Sequence, residues 1–202
     1  LDNSDALIIA QPKNRFSEKD KFVIDQYIMN GGATLWFVDP LNIPIDSLYT
    51  TGETLGMSAN LNIEKDMLYK YGVRLNSDLV LDENCAPLYI QPLNDIFDWY
   101  FYPKLQSTAH IISSNLNPIR GEYTSTLDIV NESDPDVKKT VLLKTTANSR
   151  LFKAPTRVHY GLALPEKKPD FGDPTQGDYP VAVLMEGSFS SAFENRPISD
   201  AF

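Results

Sequence analysis

The stretch "ALIIAQPKNRFSEKDKFVIDQYIMNGGATLWFVDP", Ala6 to Pro40, decides how the chain is read. "ALIIA" is a continuous apolar run of buried-strand length, and Gln11-Pro12 ends it. A helix follows. Ser17 is placed to cap the amide of Asp20, Glu18 and Asp20 suit the positive end, and Gly31 or Gly32 offers the left-handed residue that closes it. Val23, Ile24, Tyr27 and Ile28 share one face and should pack on a sheet. "ATLWFVD" then reads as a second buried strand. A right-handed crossover makes the two strands parallel, with Asp39 at the carboxyl end, the edge where open α/β sheets bind ligands.

Working outward, "IEKDMLYKYGVRLN" has helical spacing at Ile63, Met67 and Leu68 and ends at Gly72. "SDLVLDE" is a third strand, so the helix-then-strand order recurs. Past Asp82 the chain offers short strand candidates in "APLYIQP", "FDWYFYPKL", "AHIISSN", "STLDIV", "KTVLLKTT" and "YPVAVLMEGS", divided by Asn, Pro, Ser and Gly. "ESDPDVKK" and "LPEKKPDFGDPTQGDYP" read as loops. The expected architecture is a single α/β domain over residues 1–202, doubly wound around a mostly parallel sheet, with extra strands in its C-terminal half. In "FDWYFYP" strand alternation puts Trp99 and Phe101 on one face and Tyr100 and Tyr102 on the other. One face is expected in the core, and the other is open to core packing or to a partner.

The chain's 202 residues and 42% hydrophobic content suffice for a substantial core. A net charge of −9 argues against binding nucleic acid, since phosphate backbones call for clustered Lys and Arg. Cys85 is the sole cysteine, so no internal disulfide forms. No run reaches the roughly 18 apolar residues of a membrane span. The chain itself reads as soluble, and Leu1 in place of Met, with the open end at Phe202, reads as a piece excised from a longer protein.

Motifs for chemistry are sparse. The turn after the first strand, "AQPKNRFS", has no Gly to admit a pyrophosphate, so no nucleotide cofactor is expected, although Lys13 and Arg15 are available to an anion. Cys85, with His110 or His159 as base, is the one nucleophile candidate, yet "DENCAPLY" lacks the small residues of a nucleophile elbow. The histidines stand 49 positions apart and "NESDPDVKK" lacks a calcium loop's Gly and terminal Glu, so no metal is expected. Gln11, Lys13 and Asp39 are the candidate ligand-binding residues, at the carboxyl edge. Asp39-Pro40 also reads as a simple strand stop.

The segments Asp5–Pro40 and "YPVAVLMEGSFSSAFENRP" resemble the soluble region of the gliding-motility ABC-transporter auxiliary proteins, GldG, of Bacteroidota-type bacteria. That resemblance implies a membrane-anchored parent with this domain on the periplasmic face of the inner membrane, working with an ABC permease and an ATPase. It also implies a fold like flavodoxin and the class I glutamine amidotransferases, without their Gly-x-Cys-x-Gly elbow or His-x-Glu pair. The expected function is a non-enzymatic binding or interaction domain of an ABC-transporter complex. The alternatives are a small-ligand or glycan receptor at the carboxyl edge and a degenerate cysteine hydrolase using Cys85.

Overall fold

The computed structural model describes residues 4–130 and 136–194. Its opening unit forms where the sequence places it: strand β1 (Ala6–Ala10), helix α1 (Glu18–Met29) and strand β2 (Ala33–Phe37), with β1 and β2 parallel and Ile8 level with Leu35. Helix α1 starts because Ser17 is extended and its Oγ accepts the Asp20 amide at 3.1 Å, while the Asp20 carboxyl accepts the Ser17 amide at 3.1 Å. These two reciprocal bonds satisfy amides that the helix leaves orphaned. The Ser17 hydroxyl, which donates to the Asp20 carboxyl at 2.7 Å, and the Ser17 amide hold that carboxyl below its usual value. At the other end Gly31 takes φ +86°, and a Cβ on Gly32 would stand 2.3 Å from the Tyr27 ring.

The face that α1 buries differs from the expected stripe. Val23 is exposed, and beside Ile24 the buried residues are Lys21 and Asp25. Lys21 Nζ donates to Asp66 at 2.7 Å and pairs with Glu18. The Asp25 carboxyl, wholly buried, accepts from the Tyr71 hydroxyl, the Ser191 hydroxyl and the Ala192 amide, each at 2.7 Å. Three aligned donors outweigh the apolar gain that a turn of the helix toward Val23 would bring, because a stranded buried donor costs about 1–3 kcal/mol. Burial and the bond to Asp25 push the Tyr71 phenol up.

Beyond β2 the chain runs through β3 (Leu41–Asn42), α2 (Ile45–Thr51), β4 (Glu53–Ser58), α3 (Met67–Tyr71), β5 (Val73–Leu75) and β6 (Asp78–Asp82). It continues with β7 (Cys85–Ile90), β8 (Asp95–Ser107), β9 (Ile119–Arg120), β10 (Leu127–Ile129) and β11 (Val137–Lys144). Strands β12 (Ser149–Lys153), β13 (Thr156–His159) and β14 (Pro180–Gly187) complete it. Here the doubly wound, flavodoxin-like and amidotransferase-like expectation fails. Among the described residues β1–β2 is the only parallel pair; β3–β4–β13, β5–β10, β6–β12 and β7–β8–β11–β14, with β9 beside β8, are all antiparallel. The architecture is a set of small, mostly antiparallel sheets with one β-α-β unit attached.

Strand β6 explains the misreading. All five of its residues are buried, which looks like a parallel central strand, but its partner β12 runs opposite. Its two terminal carboxyl groups act as clamps. Asp78 accepts the Thr126 amide at 2.9 Å and hydroxyl at 2.7 Å; Asp82 accepts the Thr146 amide at 2.8 Å and hydroxyl at 2.6 Å. Burial raises the Asp82 carboxyl in spite of these bonds. Leu79, Leu81, Trp99 and Phe101 lead one core; Ile9, Ile24, Ile63 and Tyr71 lead a second, which α1 shares with the inward side of β1–β2.

Two further readings change. Both faces of "FDWYFYP" are enclosed: Trp99 meets Tyr160, Tyr100 meets Phe171 and Tyr102 meets Tyr123, so no aromatic face is left for a partner. "AHIISSN" is a run of turns with no strand in it. The acidic residues 131–135 of "NESDPDVKK", and residues 195–197 of the second resemblance segment, lie outside the described residues.

Replacing Asp25 by Ala is expected to lower stability by about 3 kcal/mol or more, since it strands three donors at once, whereas Val23→Ala stays within about 0.5 kcal/mol. Urea-unfolding midpoints of the two variants check this. Equal losses would remove Asp25 from its structural role.

Candidate functional site

Alternation along β1 and β2 divides their side chains cleanly. Leu7, Ile9, Trp36 and Val38 turn inward. Ala6, Ile8 and Ala10 of β1, with Ala33, Leu35 and Phe37 of β2, turn out, and all six are exposed. Ile8 is 62%, Leu35 49% and Phe37 54% exposed. The outward face is thus wholly apolar, and it is uncovered among the described residues. Neither outer edge of the pair is hydrogen-bonded to another described strand. Parallel strands normally carry cover on both faces, and contiguous apolar surface of this kind marks an interaction site.

The carboxyl edge of the same unit gathers the three residues singled out from sequence. Gln11, at φ +45°, turns the chain off the sheet while its amide donates to Phe37 O at 2.8 Å. Lys13 Nζ stands 3.6 Å from the Asp39 carboxylate, with both side chains largely in water. A pair so exposed contributes little stability. Strand β2 stops at Phe37, and Pro40 behind Asp39 is buried. The first turn of α1 offers an anion little, because Ser17 occupies the Asp20 amide and Glu18 and Asp20 add negative charge.

The three groups proposed from sequence for nucleophilic chemistry sit on separate elements. Cys85 is buried on β7, and burial, helped by the Asp98 charge, pushes its thiol up to about 11. Neither imidazole is among the groups acting on it. His159 is on β13, where burial, Arg157 and Lys167 lower its affinity for a proton. His110 lies in the turn after β8, its Nδ1 accepting the Ile112 amide at 3.3 Å. Among the described residues no group of three or more His, Cys, Asp or Glu is placed to hold a metal, and no helix is long and apolar enough to cross a membrane.

Sequence reasoning found the polar edge and missed the bare face. "ALIIA" and "ATLWFVD" read as buried strands, yet one face of each is exposed, because an apolar run signals a surface that seeks cover and is silent on whether cover is supplied.

These features define a β-rich scaffold that presents an uncovered apolar sheet face beside a small polar edge. The chain belongs to the family described as ABC-type uncharacterized transport system, whose model matches residues 1–201. It is an auxiliary component of an ABC transport system. No curated protein and no solved structure matches it.

Native Cys85 is expected to react with iodoacetamide at pH 8 roughly a hundredfold more slowly than in the urea-unfolded chain, because burial hides the sulfur and pushes its thiol up to about 11, so thiolate is scarce. Mass spectrometry of the alkylated chain over time measures both rates. Matching rates would mean a thiol far more reactive than its surroundings allow.

Proposed function

We propose that the chain is a non-enzymatic interaction module of its ABC transport system, held on the periplasmic face of the inner membrane by a membrane-anchored parent. Its partners are the permease and ATPase assembly, and the system is of the gliding-motility or envelope-transport kind that the sequence resemblance suggests. The observation that carries this reading is the six-residue apolar face of β1–β2.

Dimensions favour one kind of occupant. Five residues of strand span about 16 Å, and two strands present a width close to the roughly 10 Å diameter of a helix. The face is therefore the footprint of a single amphipathic helix of about eleven residues, which we assign to a partner subunit. Such a helix would complete the second layer that a parallel pair ordinarily has. The buried, weakly acidic thiol of Cys85 supports the non-enzymatic part of the reading.

A second reading rests on the meeting of Lys13 and Asp39 beside Gln11. An opposite-charge pair on an exposed carboxyl edge can exchange its mutual contact for a sugar's hydroxyl groups. An envelope sugar that raises the melting temperature of the native chain but not of Asp39→Asn would move the function to this edge.

The leading reading is tested with Phe37→Asp in the full-length protein. Placing a carboxylate where the partner's helix would sit should abolish co-purification with the permease and ATPase subunits, while the urea midpoint stays close to native, since Phe37 is already half in water. Undiminished co-purification would overturn it.

A further inference from the structure

Between Lys104 and Arg120 the chain carries no Asp, Glu, Lys or Arg for 15 residues, Leu105 to Ile119, although 22% of the whole sequence is charged. This run leaves the end of β8, turns, and returns as β9. Past Leu105, which is buried, its aliphatic side chains point into solvent: Ile111 is 87%, Ile112 56% and Leu116 50% exposed. Only Ser113 within residues 111–119 is buried.

Several polar groups of the turn are tied to one another, while Ser114, Asn115 and Asn117 are exposed. The Ser113 and Ser114 amides donate to His110 O at 2.9 and 2.7 Å, and the Leu116 amide donates to Ser113 O at 3.1 Å. The Ser113 hydroxyl lies 3.3 Å from Thr108 O, and the Thr108 hydroxyl donates to Val141 O at 2.7 Å, fastening the turn to β11. The turn is therefore pre-shaped by internal hydrogen bonds, and its exposed surface carries Ile111, Ile112 and Leu116 together with Ser114, Asn115 and Asn117. Entry into an apolar medium would leave these bonded groups satisfied.

We propose that residues 106–118 form a membrane-contact tip, which sinks Ile111, Ile112 and Leu116 into the interfacial zone of a lipid bilayer while Lys104 and Arg120 stay at the level of the phosphates. Three observations favour lipid over a protein pocket. The anchors are purely aliphatic, where protein interfaces concentrate energy in aromatic and Arg side chains. They project from a tip, where protein contacts favour a broad patch. Lys104 and Arg120 face each other across the β8–β9 pair at the base of the tip, where lipid headgroups carry negative charge. Arg120 also pairs with Glu122, and the chain's net charge of −9 is repelled by anionic lipid. Binding is thus driven by hydrocarbon, with zwitterionic bilayers preferred.

The test is flotation of the 202-residue chain with phosphatidylcholine vesicles. The native chain should float with the lipid, undiminished by added salt and less well when phosphatidylglycerol is included. Ile111→Ser/Ile112→Ser should weaken partitioning about a hundredfold, given the transfer energy of two large aliphatic side chains. Ile96→Ser serves as the control, since Ile96 is 64% exposed on the hairpin at the other end of β8; it should bind as the native chain does. A second measurement is independent of affinity differences: Ile111→Cys carrying an acrylodan label, selective because Cys85 is buried, should shift its emission to the blue on adding vesicles. The proposal is overturned if the native chain stays with the aqueous phase, if the double variant floats like the native chain, or if Ile96→Ser loses as much. It is equally overturned if the tip residues matter only for co-purification with a protein subunit.

Discussion

A carboxyl group with no exposed surface holds the amino-terminal half together. Asp25 takes hydrogen bonds from α3 through Tyr71 and from the segment after β14 through Ser191 and Ala192. Helix α1 is therefore fixed in rotation as well as position, with Ile24 directed at Ile9 in the shared core. The inward side of β1–β2 is filled by that arrangement. Its outward side is filled by nothing among the described residues, which leaves Ile8, Leu35 and Phe37 exposed.

The carboxyl-terminal half uses the same device with a different partner. Asp78 and Asp82, at opposite ends of β6, each accept an amide and a hydroxyl from a threonine in a distant segment. Side-chain acceptors at strand ends satisfy backbone amides where short sheets run out. Such clamps let a protein of small antiparallel sheets close its cores without one long continuous sheet. They also leave surfaces that a larger sheet would have hidden, such as the outward side of β1–β2.

Local elements were legible in the sequence wherever their cause was local. The Ser17 cap on the Asp20 amide, the Gly31 stop and the β1–α1–β2 order with its parallel strands depend on residues close in sequence and appear as expected. Strand direction was not legible. An all-apolar run such as "DLVLD" reports burial on two faces, and burial on two faces occurs with either direction; what settles it is pairing with Ser149–Lys153, far along the chain. The burial of Lys21 and Asp25 was hidden for a similar reason, since their partners Asp66, Tyr71 and Ser191 stand 45, 46 and 166 positions away. The Gln11, Lys13 and Asp39 edge was legible because a β-α-β unit fixes which strand ends lie together. "AHIISSN" reads as a strand and is a turn with Ile111 and Ile112 exposed, because hydropathy does not distinguish a buried strand from an uncovered turn.

Hydrogen exchange at residues 6–10 and 33–37, compared between the isolated chain and the assembled transport complex, bears most directly on whether the bare sheet face is where this module works. Covering that face should slow exchange in both strands upon assembly, leaving the already buried β6 unchanged. Equal exchange in both states, with protection arising elsewhere on the chain, would contradict it.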